Sequence, residues 1–362
     1  MRKIGFVVNP IAGIGGRVAL KGSDGVVELA RKLGGVPLSP IKAEIFIKNC
    51  KEILKNFEIL TAAGNMGENY LKKFSLKYRV VYYPRGKETT AEDTIKSCKR
   101  FCEENAELII FVGGDGTARD VMQAQCEIPV LGIPAGVKVY SAVFSISPEF
   151  ACTVLSDYLC GNFRIEEREV VDIDEEAFRK NELRIKLHGY MKVLVSKDYV
   201  QNAKSPSAEG NKEEIAEYFL DEIMEKDVYY ILGPGTTVKE ICRILGEDCT
   251  LLGVDVMLNG KVVKRDCSER ELISLFSEGK KVYIVVSPLG AQRTLFGRGN
   301  QQISPEIIKK VGRDNIIVLA TPEKVSEGKL YVDTGDEETD SILRGYLKVV
   351  IGYGMWKMVR IV

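Results

Sequence analysis

The sequence predicts an α/β protein: a doubly wound parallel sheet in the N-terminal part, joined to a second domain of mixed β and α/β character. Two patterns carry this prediction. Short apolar runs of strand length alternate with helical patterns through the first 150 residues, as βαβ units do. Most of those runs stop at a glycine turn, and in parallel sheets the carboxyl ends of strands are where ligands gather. From about Phe150 the pattern turns to half-exposed strands, then returns to α/β alternation. A chain of 362 residues should form roughly two domains with separate cores. The expected division is 1–150, 151–345, and a C-terminal strand segment 346–362.

In chain order, residues 4–8 form a strand running into the turn Asn9-Pro-Ile-Ala-Gly-Ile-Gly-Gly16. The Asn9 side chain could hold that turn or accept from a nucleotide base, and Gly13 permits close approach of a ligand. Arg17, Lys21 and Asp24 follow in a glycine-rich stretch that is either a basic lid or a solvated loop. Lys42–Asn56 reads as a helix, Phe57–Thr61 and Arg79–Tyr83 as strands, and Thr90–Asn105 as a helix with a threonine cap. The apolar run Leu108–Val112 has the composition of a strand buried on both faces. Gly113-Gly-Asp-Gly-Thr117 ends it, and a helical pattern follows (Ala118, Val121, Met122, Gln125). Pro129–Ile133 is the next strand, ending in Pro134-Ala-Gly136-Val-Lys138, with Lys138, Tyr140 and Ser141 opening a following helix.

Arg164–Asp174 and Glu182–Ser196 read as extended strands, and Ala203–Asn211 as a linker. Asp227–Leu232 is a strand leading to Gly233-Pro-Gly235-Thr236-Thr237 and a helix through Leu245. Thr250–Met257, Lys281–Ser287, Asn315–Thr321 and Lys329–Asp333 are further strands, and Ser268–Glu278 a helix. Gly297-Arg298-Gly-Asn300-Gln-Gln302 precedes a helix capped at Ser304-Pro305. Its glycine-flanked arginine points to contact with a ligand phosphate. Asp333-Thr-Gly-Asp336 sets two carboxylates around a turn, which could hold magnesium or substrate hydroxyls, or be only an acidic turn. Gly345–Val362 alternates apolar and polar residues and closes a sheet, with Trp356 as an apolar anchor.

The chemistry concentrates in Gly113–Thr117. A strand, a glycine turn and a helix start offer backbone N–H groups to an anion at the positive end of the helix dipole. Asp115 among phosphates would be repelled unless it held a magnesium ion or took a proton, both tasks of phosphoryl transfer. Gly233–Thr237 has the same form with two hydroxyls, either a second anion site or a capped helix. It bears a five-residue likeness to the Gly-x-Gly-(Ser/Thr)-Thr loop of ribose-5-phosphate isomerase-like folds.

Gly113-Gly-Asp-Gly-Thr117 resembles the signature of the NAD kinase, diacylglycerol kinase and sphingosine kinase superfamily. Asn9-Pro-Ile-Ala-Gly13 and Gly132-Ile-Pro-Ala-Gly136 resemble its first and third motifs. Leu20–Gly25, Gly297–Gln302 and Asp333–Asp336 extend the likeness to the AcoX-like branch of the ATP-NAD kinase family. The resemblance implies an N-terminal sheet of NAD kinase type and an ATP-dependent kinase, magnesium-assisted, with NAD as acceptor. It implies Asp115 as the catalytic residue, with Asn9, Gly13, Gly113, Gly114, Gly116, Thr117 and Gly136 around the nucleotide. Asp120, Lys138, Gly235, Thr236, Arg298, Asn300, Asp333 and Asp336 are candidate substrate contacts. NAD kinases usually carry an Asn-Glu/Asp pair and a Gly-Ser-Thr-Ala-Tyr segment in an all-β second domain. Neither occurs in this sequence, which leaves another small alcohol, a sugar or lipid acceptor, or a nucleotide-binding regulator without turnover as alternatives.

Fifty-one basic and fifty-one acidic residues cancel, so no global field points to nucleic acid or to an anionic membrane. No apolar run approaches the ~20 residues of a membrane span. The protein is expected to be cytoplasmic and to form a homo-oligomer. Nine cysteines, an odd number without close pairs, read as buried thiols rather than a disulfide framework. Cys98 and Cys102 lie one helical turn apart, yet the single histidine, His188, makes a zinc site a poor fit, and no resident metal site is expected. That one histidine also speaks against histidine-based nucleophilic schemes.

Overall fold

The computed structural model describes residues 2–20, 27–86, 88–136, 139–173, 185–196, 210–289 and 293–362. Lys138, Lys21, Asp24 and most of the 203–211 linker lie outside them. The chain divides into two compact units, one holding Met1–Ile14 and Val36–Ala203, the other Gly15–Lys21, Glu28–Gly35 and Lys204–Val362.

The first unit is built on a seven-stranded sheet of order β3-β2-β1-β4-β5-β7-β6. Its strands are β1 (Arg2–Val8), β2 (Phe57–Ala62), β3 (Tyr78–Tyr82), β4 (Leu108–Gly113), β5 (Val130–Pro134), β6 (Arg164–Ile173) and β7 (Ile185–Val195). All pairings are parallel except that of β6 with β7. Its helices are α2 (Ser39–Leu54), α3 (Glu68–Lys73), α4 (Ala91–Glu103), α5 (Asp115–Gln123) and α6 (Pro148–Leu159), while the earlier α1 (Val27–Lys32) falls almost wholly in the other unit. β4 shows why its sequence is continuously apolar: Leu108, Ile110 and Val112 face α2 and α6, while Ile109 and Phe111 face α4 and α5. The doubly wound expectation is met by these two separate cores. A complete capping box, Thr90 with Asp93, starts α4 as its sequence indicated.

Three expectations do not hold. The first unit runs past residue 150, because the hairpin of β6 and β7 pairs onto β5 at Val130–Val193 and extends the first sheet. No helix opens at Tyr140 and Ser141, while Lys138 lies outside the described residues; α6 begins at Pro148, where the Ser147 hydroxyl accepts from Phe150 N. Cys102 and Cys126 are disulfide-bonded, as are Cys242 and Cys249. The first pair spans 24 residues and closes because α4 and α5 lie side by side, a proximity invisible in linear spacing. Cys50, Cys98 and Cys267 are buried free thiols, as expected.

The second unit carries a nine-stranded sheet of order β10-β9-β8-β11-β13-β15-β16-β14-β12. The strands are β8 (Tyr229–Leu232), β9 (Asp255–Leu258), β10 (Lys261–Lys264), β11 (Val282–Val286), β12 (Thr294–Phe296), β13 (Ile316–Leu319), β14 (Lys329–Val332), β15 (Gly345–Gly352) and β16 (Met355–Ile361). Its helices are α7 (Gly210–Tyr218), α8 (Thr236–Leu245), α9 (Glu269–Ser274), α10 (Pro305–Val311) and α11 (Glu337–Leu343). α7 and α8 cover one face around Phe219, Val238 and Ile241. α9, α10 and α11 cover the other around Leu272, Ile307 and Leu343. The segment 346–362 is therefore no appendage but two strands inside this sheet. Trp356 does not anchor it: the ring is half exposed, with Lys348 lying over it at 5.0 Å. β9 is shorter than the expected 250–257 strand, and Asn259-Gly260 turns it back into β10. That hairpin signal was present in the sequence.

Strand direction decides what this unit can bring together. β8, β11, β13 and β15 run one way, and β16, β14 and β12 the other, because β15 meets β16 antiparallel. Loops after β8, β11 and β13 thus share one edge of the sheet, and loops after β12 and β14 share the opposite edge.

Candidate active site

β1, β4 and β5 are adjacent and parallel, so their carboxyl ends set three motif loops side by side. Asn9 N donates to Val112 O at 3.0 Å, and Ala135 N donates to Gly113 O at 2.8 Å. The Asn9 side chain accepts from Ile11 N at 3.2 Å and donates through Nδ2 to Thr117 Oγ1 at 3.0 Å. Of its two expected roles, Asn9 performs the turn-holding one, and it also ties the first motif to the second. Gly13 sits at φ +80°, and a Cβ there would lie 2.3 Å from Ala135 O. At Gly114 a Cβ would come within 3.0 Å of the Gly136 Cα, and at Gly113 within 2.3 Å of Thr117 Oγ1. These glycines therefore let the three loops interlock, whatever else they approach. Asn9→Ala should lose both side-chain bonds and cost about 1–2 kcal/mol. A urea midpoint lowered with unchanged m-value would register it, and an unchanged midpoint would show that the tie carries no weight.

Helix α5 opens with Asp115, Gly116 and Thr117, and its N-cap, Gly114, contributes no capping side chain. The first-turn N–H groups thus gather beneath partly exposed Gly114 and Gly116, an arrangement suited to an anion. Asp115 is 5% exposed; one oxygen accepts from Tyr140 N at 2.7 Å, the other from Ser141 N at 2.9 Å. Ser141 in turn donates to Val171 O and accepts from Val171 N, which roots the segment in β6. Burial pushes the Asp115 carboxyl up to about 7, opposed by the bonds from Ser141 and Tyr140. Asp120 lies away from this edge, buried beside Cys98 of α4. Positions i and i+5 lie on different sides of a helix, so Asp120 does not share the face of Asp115.

The other candidates belong to the second unit. Gly235 (φ +108°) and Thr236 start α8 at the carboxyl end of β8. Arg298 and Asp333 are both buried and pair at 3.7 Å, on loops that touch where a Cβ on Gly297 would lie 1.7 Å from Asp333 O. Asn300 braces its own loop, donating to Leu295 O at 2.9 Å and accepting from Gly297 N at 3.2 Å. Asp336 is likewise committed, as the N-cap of α11 accepting from Thr339 N at 2.8 Å and pairing with Lys309. The Thr339 bond holds its carboxyl below the usual range. Gly235 and Thr236 lie on the opposite edge of this sheet from Arg298 and Asp333, so within this unit the four cannot line one pocket. Sequence reasoning placed Ser141 at a helix start and missed that its backbone amide holds Asp115, a contact between segments 26 residues apart.

The family model for the ATP-NAD kinase N-terminal domain matches residues 4–163, and that for the ATP-NAD kinase C-terminal domain matches residues 225–361. No curated protein matches the chain. Among solved structures, a proposed diacylglycerol kinase from Bacillus anthracis str. Sterne is 15% identical over 48% of this chain, with a TM-score of 0.26. The chain spans 46% of that protein's length. The S. aureus MnaA–UDP co-structure is 14% identical, covers 94% of this chain and 86% of its own, and has a TM-score of 0.25. A proposed UDP-N-acetylglucosamine 2-epimerase from Listeria monocytogenes is 12% identical over the same shares, with a TM-score of 0.26. At TM-scores this low none of the three bears on fold or chemistry. The two family matches together span most of the chain: it belongs to the ATP-NAD kinase family.

Proposed function

We propose that the protein is an ATP-dependent kinase that transfers the γ-phosphoryl group to a hydroxyl of NAD, forming NADP. The observation that carries this reading is Asp115, with a carboxyl poised near neutrality, on the first turn of a helix whose N–H groups lie at the interlocked glycine loops. In this reading the amides of Gly114 and Gly116 and the Thr117 hydroxyl bind phosphate oxygens. Asn9, Gly13, Gly113 and Gly136 hold the loops in register around the nucleotide. Asp115 takes the proton of the acceptor hydroxyl as that oxygen attacks the γ-phosphorus in line and the bond to the β–γ bridging oxygen breaks, releasing ADP. Each Asp115 oxygen accepts one backbone N–H, and with the Ser141 side chain also bonding the carboxylate one lone pair still remains for that proton.

Magnesium would neutralise charge on the transferring phosphates, but these residues make no cage for it. No cluster of three metal-ligating side chains occurs among the described residues. A cytoplasmic homo-oligomer handling a small-molecule substrate belongs to the same reading; among the described residues no helix is long and apolar enough to cross a membrane.

One observation favours a second acceptor. The second unit has helices on both faces of its sheet, where the NAD kinase resemblance leads one to expect an all-β domain. A kinase of another small alcohol would fit that difference. Product analysis after incubation with ATP, magnesium and NAD separates the two. NADP formed by the parent and not by Asp115→Asn supports the NAD reading. ATP consumed only with a different alcohol supports the second, and no turnover with any alcohol sinks both.

A further inference from the structure

At the other sheet, β8, β11 and β13 are parallel neighbours, so the loops that follow them meet at one edge. The first of these loops starts α8, ten residues long, whose N-cap Gly235 contributes no capping side chain. Gly235 N itself is spent on Leu251 O at 2.9 Å, leaving the Thr236 and Thr237 amides at the helix start to face outward along the axis. Lys324, on the loop after β13, reaches across and donates to Thr237 Oγ1 at 3.1 Å and to Ser287 Oγ at 2.9 Å. Thr237 and Ser287 are both fully buried or nearly so, at 0% and 1% exposure. Each hydroxyl that accepts from the ammonium keeps a proton to donate elsewhere.

An independent observation points to a ligand. Thr321 is 0% exposed, and its hydroxyl has no hydrogen-bond partner. A buried hydroxyl left unmatched is destabilising and calls for an explanation. Its direction follows from strand alternation. Val285 and Leu319 pack into the core under α8, while Val286 and Ala320 pack on the opposite face. Thr321 retains extended backbone (φ −66°, ψ 152°), so Ser287 and Thr321, two residues past Val285 and Leu319, turn toward the α8 side. That is the side on which Thr237 and Lys324 lie.

We infer that the edge formed by Gly235, Thr236, Thr237, Ser287, Thr321 and Lys324 is a second anion site, one that takes a phosphate group. Donors reach it from three loops rather than one plane: two helix-start amides, an ammonium and three hydroxyls. Such a set suits a tetrahedral dianion better than a flat carboxylate, which accepts along two edges in a single plane. The inference is independent of what the first unit phosphorylates. It also gives Thr236 a ligand role, through its backbone amide, that the sequence left open.

The test is a titration of the whole protein with inorganic phosphate, followed by amide NMR signals, and repeated with a hexose phosphate. Saturable shifts at Thr236 and Thr237 are expected. Lys324→Gln should weaken binding at least tenfold, and Thr321→Val several-fold with no loss of melting temperature, since that hydroxyl has no partner to lose. Tighter binding of the hexose phosphate would assign an ester; equal binding would assign the free anion. Shifts confined to other amides, or the same affinity in Thr321→Val as in the parent, would overturn the site. Thr321→Val decides the matter even where Lys324→Gln fails to fold.

Discussion

Asp115→Asn is expected to lower the turnover rate by about 10²–10⁴-fold, the range of a positioned general base, while ATP affinity changes only a few-fold. The reasoning follows from the carboxylate's two duties. Its oxygens hold the Tyr140 and Ser141 amides and the Ser141 side chain, and the remaining lone pair takes the proton. An asparagine keeps one acceptor and turns an NH₂ toward the other amide, so some stability is lost along with the base, about 1–3 kcal/mol. The two losses separate by pH. Burial sets the carboxyl at about 7, and a base acts only when deprotonated. The parent's rate should therefore rise with pH through about 7 and then level, being lost as pH falls below it. The variant's residual rate should be flat across the same range. A variant within three-fold of the parent, or one that keeps the same pH profile, would leave Asp115 a structural tie and nothing more.

Lys239→Met should destabilise the fold more than Asn9→Ala or Asp115→Asn, by about 3–5 kcal/mol, as expected when one partner of a buried pair is removed. Lys239 Nζ lies 2.7 Å from Asp255 Oδ2 and 3.0 Å from Leu232 O, with side-chain exposures of 7% and 0% for the two charged partners. Burial pulls the ammonium below its usual range, and Asp255 opposes the shift. Asp255 further accepts from Thr250 N, the Thr250 hydroxyl and Asp266 N, so it binds the segment between α8 and β9 to the floor of the helix. Removing the lysine strands that carboxylate and unpairs a strand carbonyl together. Adding Asp255→Asn to Lys239→Met should recover part of the loss, and urea denaturation of all four proteins in the cycle gives the coupling. A single-variant cost under about 1 kcal/mol would show that water or relaxation replaces the pair.

How much of this was legible in the sequence depended on the range of the forces involved. β4 and its Gly-Gly-Asp-Gly-Thr turn could be read because burial on both faces leaves an unbroken apolar run and glycine punctuates it locally. The Thr90 cap and the Pro305 first turn are equally local, each resting on bonds or torsions within a few residues, although the expected Ser304 cap bond is not made. The wider family likeness lay in such local motifs, and their positions after successive strands were enough to place three loops at one sheet edge. Pairings between distant segments were not legible. Joining β6–β7 to β5 moved the domain boundary, and the antiparallel meeting of β15 with β16 reversed β14 and β12, placing their loops on the far edge from β8. Side chains followed suit: Asp336 became a helix cap, Asn300 a loop brace, and Cys102 found Cys126. The sequence by itself determined the α/β character and the chemistry of the glycine loops, since these depend on periodicity and turn residues. Only the tertiary structure decided strand direction and the partners of each buried polar group. Those are set by which segments share a sheet, and linear spacing carries no measure of that.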